Sequence, residues 1–292
     1  MRDRHPPLNL LTYPYSRLQP FTSGPSELRS AGRQPGGALV WSMADGRHPA
    51  CAQMVCDRPG GLALLVVLPP GKDVIADPHV MHDVQRSRPQ GILPYHLEPS
   101  ASDLAQVLRT PPADLGGEVT DYLRWRGLGV DRETAHVIRR IIDLSAELRS
   151  ISAVSRGMYL SRRALGRRLM SRGLPVPSHW LQIGRLLRVA HKLQNSEATV
   201  SSIAFDHGYP DGFSVSNQME RLIGFRPSEV RVRLGWEWIL ESWLRREAEM
   251  GGLTPTLTRR VRGTSEPSAN SVTHPTRLSA RTRRRAQIDR EA

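Results

Sequence analysis

The chain has 292 residues, enough for one or two domains, and its hydrophobic share of 39% is low for a fully compact protein of that size. Its net charge is +13, and the positive charge is nearly all arginine, since Lys72 and Lys192 are the only lysines. The two cysteines, Cys51 and Cys56, imply no disulfide framework, and no stretch approaches the roughly 18–20 apolar residues of a membrane span.

Met1 to Pro20 mixes charges with prolines and lacks an apolar run, so it does not read as a secretory signal, and the cytoplasm is the default location. A GC-rich coding bias would raise arginine throughout, so the distribution of charge matters more than its total. Residues 151–235 carry 13 basic and 5 acidic side chains, a net of +8, and residues 251–292 carry 9 and 3, a net of +6. Residues 51–150, with 11 and 13, are slightly acidic. Charge gathered into one segment and a tail is the footprint of a polyanionic partner, a class that includes double-stranded DNA.

Residues 1–38 hold Pro6-Pro7, Pro14, Pro20, Pro25 and Gly36-Gly37 with no period of 2 or 3.6, and are expected to be disordered or irregular. Residues 39–110 predict a small α/β segment. Leu62 to Leu68 is a short apolar run stopped by Pro69-Pro70-Gly71, as in a strand buried on both faces. His79–Arg88 reads as a helix, Gly91–Tyr95 as a second strand and Ser102–Leu108 as another helix. This is a βα unit of a parallel sheet, vaguely similar to part of a degenerate receiver-type domain, with no strand ending in a phosphoacceptor Asp. Residues 111–149 read as a helical linker, with helices over Val119–Trp125 and Thr134–Leu148.

Residues 150–249 carry the functional signal. Ile151 and Val154 begin a short helix, Gly157 marks a turn, and Ser161 is a good N-cap. Leu165 and Leu169 then share a face at i,i+4 spacing, while Arg162, Arg163, Gly166 and Arg167 lie away from it. A helix anchored by leucines and presenting arginines beyond a tight turn has the layout of a recognition helix. A second copy begins at Val200, turns at Gly208 and is capped by Asp211. Its second helix, Gly212 to Ile223, turns Val215, Met219 and Leu222 inward and leaves Phe213, Ser216 and Asn217 outward. Ser178 to Gln194 predicts a long amphipathic helix coupling the two at about one turn of DNA, roughly 34 Å. Trp236, Trp238 and Trp243 are expected to pack a closing helix, Glu229 to Glu249, onto the domain or a partner subunit. Residues 250–292 read as a disordered basic tail, with Arg281-Thr282-Arg283-Arg284-Arg285 either a non-specific DNA tether or inert.

In this region the sequence resembles the AraC/XylS-type transcriptional regulators. The resemblance is carried by Leu160 to Leu169, Pro177-Ser178-His179-Trp180-Leu181, Arg185-Leu186, Val200, Ile203-Ala204, His207-Gly208-Tyr209 and Gly224 to Arg231, in family order over roughly 85 residues. It implies a tandem helix-turn-helix domain of about seven helices. It also implies base-contacting positions at Arg163, Gly166 and Arg167 in the first copy and at Gly212, Phe213, Ser216 and Asn217 in the second. Arg162 and Arg168 are expected to meet phosphates or nothing. Arg163 and Arg167 suit guanine, Asn217 suits adenine, and Phe213 either touches a thymine methyl or tucks onto its own domain. The sequence departs from the family where Leu169, Val215 and Met219 replace bulky aromatics, where Gly173 comes one residue early, and where the usual β-barrel effector domain has no counterpart.

The expected fold is therefore mainly α: a tandem helix-turn-helix domain behind a small α/β segment, with disordered termini. Its function is sequence-specific regulation of transcription, with RNA polymerase and a second copy of the chain as possible protein partners and no membrane partner. A weakly specific nucleoid or recombination accessory protein is the alternative. Catalytic, cofactor and metal sites are not expected. Cys51 and Cys56 read as two unrelated thiols, His79 and His82 lack a carboxylate partner, and Gly71-Lys72 lacks the spacing of a phosphate loop.

Overall fold

A computed structural model of the protein describes residues 7–43, 49–68, 77–94 and 99–262. Three strands form the parallel part of one sheet: β3 (Ala38–Ser42), β4 (Ala63–Val67) and β5 (Gly91–Leu93). α2 (Pro49–Cys56) and α3 (Pro78–Ser87) lie on the two connections between them. All five residues of β4 are buried because both faces of the sheet are covered. Leu64 and Val66 join Leu39, Trp41, Val55 and Val84 on one side. Ala63, Leu65 and Val67 join Val40, Leu104 and Leu108 on the other, with α4 (Ala101–Arg109). Side chains alternate across a strand, so a run of apolar residues serves two cores at once. Tyr95 and Pro69-Pro70-Gly71-Lys72 lie outside the described residues.

The sheet corrects one expectation. Residues 7–37 are not irregular: they contain β1 (Leu8–Leu11), β2 (Gln19–Pro20) and α1 (Pro25–Ala31). β1 runs antiparallel to both β2 and β3, giving the order β2-β1-β3-β4-β5. That is the strand order of a receiver-type sheet, but a doubly wound sheet of that kind is parallel throughout, and here only β3 to β5 are. The prolines sit where they cost little. Pro20 is in a two-residue edge strand, and Pro25 opens α1 in its first turn.

α5 (Leu115–Trp125) and α6 (Arg132–Leu144) begin the helical body. It continues through α7 (Ile151–Gly157), α8 (Arg162–Met170), α9 (Pro177–Asn195), α10 (Val200–Asp206), α11 (Gly212–Ile223), α12 (Pro227–Val232), α13 (Glu237–Glu249) and α14 (Pro255–Arg262). One apolar cluster runs from Leu115 to Val261. Three further expectations change accordingly. α5 and α6 are not a linker: Ile138, Ile141 and Ile142 are buried in the same core as α9. The closing helix is two helices, broken before α13 by Gly235 at φ +85°. The tail begins as a packed helix, α14, with Leu257 and Val261 buried. Arg281 to Arg285 lie outside the described residues.

The sheet unit is fastened to this body by buried charge. Arg88, in the left-handed region at the end of α3, donates to Glu237 of α13 and, at 2.8 Å, to Glu118 of α5. Arg126 pairs with Glu241 at 2.8 Å, and the Tyr122 hydroxyl donates to the same carboxylate while accepting from the amide of Gly61. Burial alone would raise the Glu241 pKa, but the Arg126 guanidinium beside it holds the carboxyl below its usual range. A third strut is the Tyr15 hydroxyl, which donates to the Gly36 carbonyl at 2.6 Å and accepts from the Leu234 amide at 2.8 Å.

Candidate nucleic-acid interface

Two helix pairs in the body repeat one another bond for bond. In α7–α8 the amide of Met158 bonds to the Val154 carbonyl, Tyr159 to Arg156, and Leu160 to Ser155. In α10–α11 the amide of His207 bonds to Ile203, Gly208 to Phe205, and Tyr209 to Ala204. Each bond in the second set lies 49 residues after its counterpart in the first. The turn residue is therefore Gly208 at φ +67° in one copy and Tyr159 at φ +55° in the other. Gly157, expected to make the first turn, is the last residue of α7. The pattern of bonds, not the residue type, forces Tyr159 into the left-handed region, at a cost of about 1–2 kcal/mol relative to a glycine.

Local chemistry then starts each second helix. The Ser161 hydroxyl accepts from the Ala164 amide at 3.1 Å, and the Asp211 carboxylate accepts from the Ser214 amide at 2.6 Å, holding that carboxyl below its usual range. Leu165, Leu169, Val215 and Met219 are fully buried, as the spacing predicts. The α9 helix, 19 residues and about 28 Å long, touches α7, α8 and α10 along its length. Its Trp180 is buried edge-to-face against Trp243 of α13, ring centroids 4.7 Å apart. Trp236, Trp238 and Trp243 thus pack within their own chain.

Most of the expected contact residues do face outward. Arg162, Arg163 and Arg167 are exposed and make no ion pair among the described residues. Gly166 has open space where a Cβ would stand. Asn217 is exposed, and Phe213 is 72% exposed, which removes the reading in which it tucks onto its own domain. Ser216 is half-buried, its hydroxyl donating to the Gly212 carbonyl at 2.9 Å. Gly212 departs from expectation. It is buried, and a Cβ there would stand 2.9 Å from the Ser201 hydroxyl of α10, so it lets the two helices approach closely and does not point outward. Arg168 is also committed within the protein, to Glu133 of α6 at 2.9 Å, and Arg172 pairs with Asp131 beside it.

Sequence reasoning missed the exposed rings. Tyr159 is 96% exposed and Phe205 65% exposed, each on the flank of a helix-turn-helix turn. Aligning the two copies at their turns would have singled out Tyr159. It also missed how the second turn is held: Arg185 of α9 stacks on Tyr209 at 4.2 Å and donates to the carbonyls of His207 and Gly208. Away from this surface, Cys51 and Cys56 are free, half-buried thiols whose pKa values burial pushes up. Among the described residues no group of three His, Cys, Asp or Glu side chains is placed to hold a metal, and no helix is long and apolar enough to cross a membrane.

Comparison with known proteins gives one class of relative. The chain is 33% identical over 101 residues to the HTH-type transcriptional activator RhaS of Escherichia fergusonii, a match covering 35% of this chain and 36% of that protein. It is 33% identical over 79 residues to RhaS of Escherichia coli O139:H28, covering 27% of this chain and 28% of that one. The chain thus spans about a third of the length of the curated relatives it matches. No family model and no solved structure matches it.

Proposed function

We propose that this chain is an AraC/XylS-type regulator that binds double-stranded DNA and regulates transcription by placing α8 and α11 in successive major grooves. The observation that carries this reading is the repeat itself: two helix-turn-helix pairs with one hydrogen-bond pattern, braced by one helix, with Arg163 and Arg167 exposed on one and Phe213 and Asn217 on the other. Phosphate contacts supply affinity, and base-edge contacts supply the choice of site. Arg163 and Arg167 serve as guanine forks, Asn217 as an adenine reader and Phe213 as a thymine-methyl contact. Arg162 meets a phosphate. Arg168, held by Glu133, is freed for one only if that pair opens. Catalysis has no part in this reading. RNA polymerase and a second copy of the chain are its protein partners, and the cytoplasm its location.

Selection of bound duplexes from a random pool tests it. The wild-type chain is expected to enrich a two-part site with half-sites about one helical turn apart. Arg163→Ala and Asn217→Ala should each relax a different half. Enrichment of one unchanged sequence by all three proteins would sink the residue assignments.

The weakly specific accessory role draws on one observation: Gly166 offers only backbone and Gly212 is buried, so two of the seven expected positions present no side chain. A steep salt dependence with no enriched site would favour it.

A further inference from the structure

A cavity of about 1180 Å³ lies where the sheet unit meets the helical body. α1 and α2 form one wall. Trp125 and Arg126 at the end of α5, Arg245 and Glu249 of α13 and Arg262 of α14 form the other. Six arginines line it against two carboxylates, Asp57 and Glu249. Arg126 and Arg245 share Glu241, at 2.8 and 3.7 Å. Arg29, Arg33, Arg58 and Arg262 have no carboxylate within ion-pair distance among the described residues.

Arg58 is the informative one. It is 3% exposed, its guanidinium donates to the backbone carbonyls of Val55, Leu62, Ser87 and Arg88, and it lies over the Trp125 ring at 4.2 Å. Carbonyls and a ring face orient the cation without neutralising it, and burial pushes its pKa down to about 10. A buried charge is ordinarily paired with its opposite; the carboxylate that acts most on this one, Glu237, is already bonded to Arg88. The exposed Arg29, Arg33 and Arg262 gather at the same opening with Leu28, Met54 and Pro59 between them.

We propose that this cavity binds a small organic polyanion, one carrying two or more carboxylate or phosphate groups on an apolar body. Arginine forks match either group, and Leu28, Met54 and Pro59 offer the body apolar contact. Because α13 is part of the wall and also packs on α11, with Arg246 donating to the Glu220 carbonyl at 3.1 Å, occupancy is relayed to the second reading helix. That relay, unlike the binding, rests on the DNA-binding reading.

Titration calorimetry of the full chain without DNA, at fixed ionic strength, tests the site with citrate and fructose 1,6-bisphosphate as carboxylate and phosphate probes. Three proteins are compared: wild type, Arg29→Gln/Arg33→Gln/Arg262→Gln, and Arg162→Ala/Arg163→Ala/Arg167→Ala. At least one probe should bind the first and third alike and lose about tenfold or more in affinity for the second, whose unliganded Tm should stay at the wild-type value. No binding of either probe, or binding that follows the reading-helix arginines, overturns the site. The bound probe should also shift the affinity for a selected duplex in wild type and not in the cavity variant. Probe binding without that shift overturns the relay and leaves the site standing.

Discussion

The two helix-turn-helix copies share a backbone and differ in almost everything they present. α8 offers arginines, and α11 offers an aromatic ring, a hydroxyl and an amide. The first turn is made by a strained tyrosine, and the second by a glycine held from beneath by Arg185. The difference teaches that geometry is fixed by buried residues and caps, while the exposed edge is free to change its chemistry. The first copy is built for charge and the second for shape, so they should respond differently to salt, to truncation and to acid.

The largest expected effect treats them as equals. Leu165→Ala and Met219→Ala each remove a fully buried anchor, and each should cost about 2–5 kcal/mol in denaturant unfolding. A much smaller loss in either copy would show that its core is loosely filled. Next comes the shared brace. His191 of α9 is buried with both ring nitrogens unpartnered, and burial, aided by Arg188, pushes its pKa down to about 4. The unfolded chain takes up that proton near pH 6.5 and the folded chain does not. Stability present above that value should therefore be lost as pH falls from about 6.5 to 4, by on the order of 3 kcal/mol. His191→Leu should flatten that stretch of the pH–stability curve. An unchanged slope would mean the ring is hydrated.

Smaller effects separate the copies. Arg163→Ala and Arg167→Ala should each cost about 1–3 kcal/mol of binding to a selected duplex, and Arg162→Ala should lower the slope of log affinity against log salt by about 1. Asn217→Ala should change base preference and leave that slope alone, as salt titrations by fluorescence anisotropy would show. Smallest is the turn. Tyr159→Gly should raise unfolding stability by about 1 kcal/mol, whereas Gly208→Ala should lower it by a similar amount or more. Equal signs would break the correspondence between the two turns.

Much of the helical body is legible in the sequence because its causes are local. Leucines at i,i+4, Ser161 and Asp211 as caps, and Gly224 as a left-handed stop each act within a few residues. The parts that were not legible depend on distant partners. β1 is four residues long and gains its place by pairing with β3, about 30 residues on, so no period announces it. Arg88 and Glu237 are 149 residues apart, and neither residue type alone marks a junction. Gly212 reads as an exposed helix start until Ser201 is seen against it. Arg168 looks like its neighbours until Glu133 approaches from α6.

Because α5 and α6 share one apolar core with α9, the smallest autonomous piece of this molecule cannot begin where the first helix-turn-helix pair does. Cutting the chain at residue 150 would strip one flank of the brace, where Gly184 lies against Ile142 and Ser145 and Arg188 donates to the Ile142 carbonyl. A cut a few residues ahead of Asp114, the N-cap of α5, would keep that flank intact. Any dissection of this protein into working parts should therefore follow its cores and not its motifs.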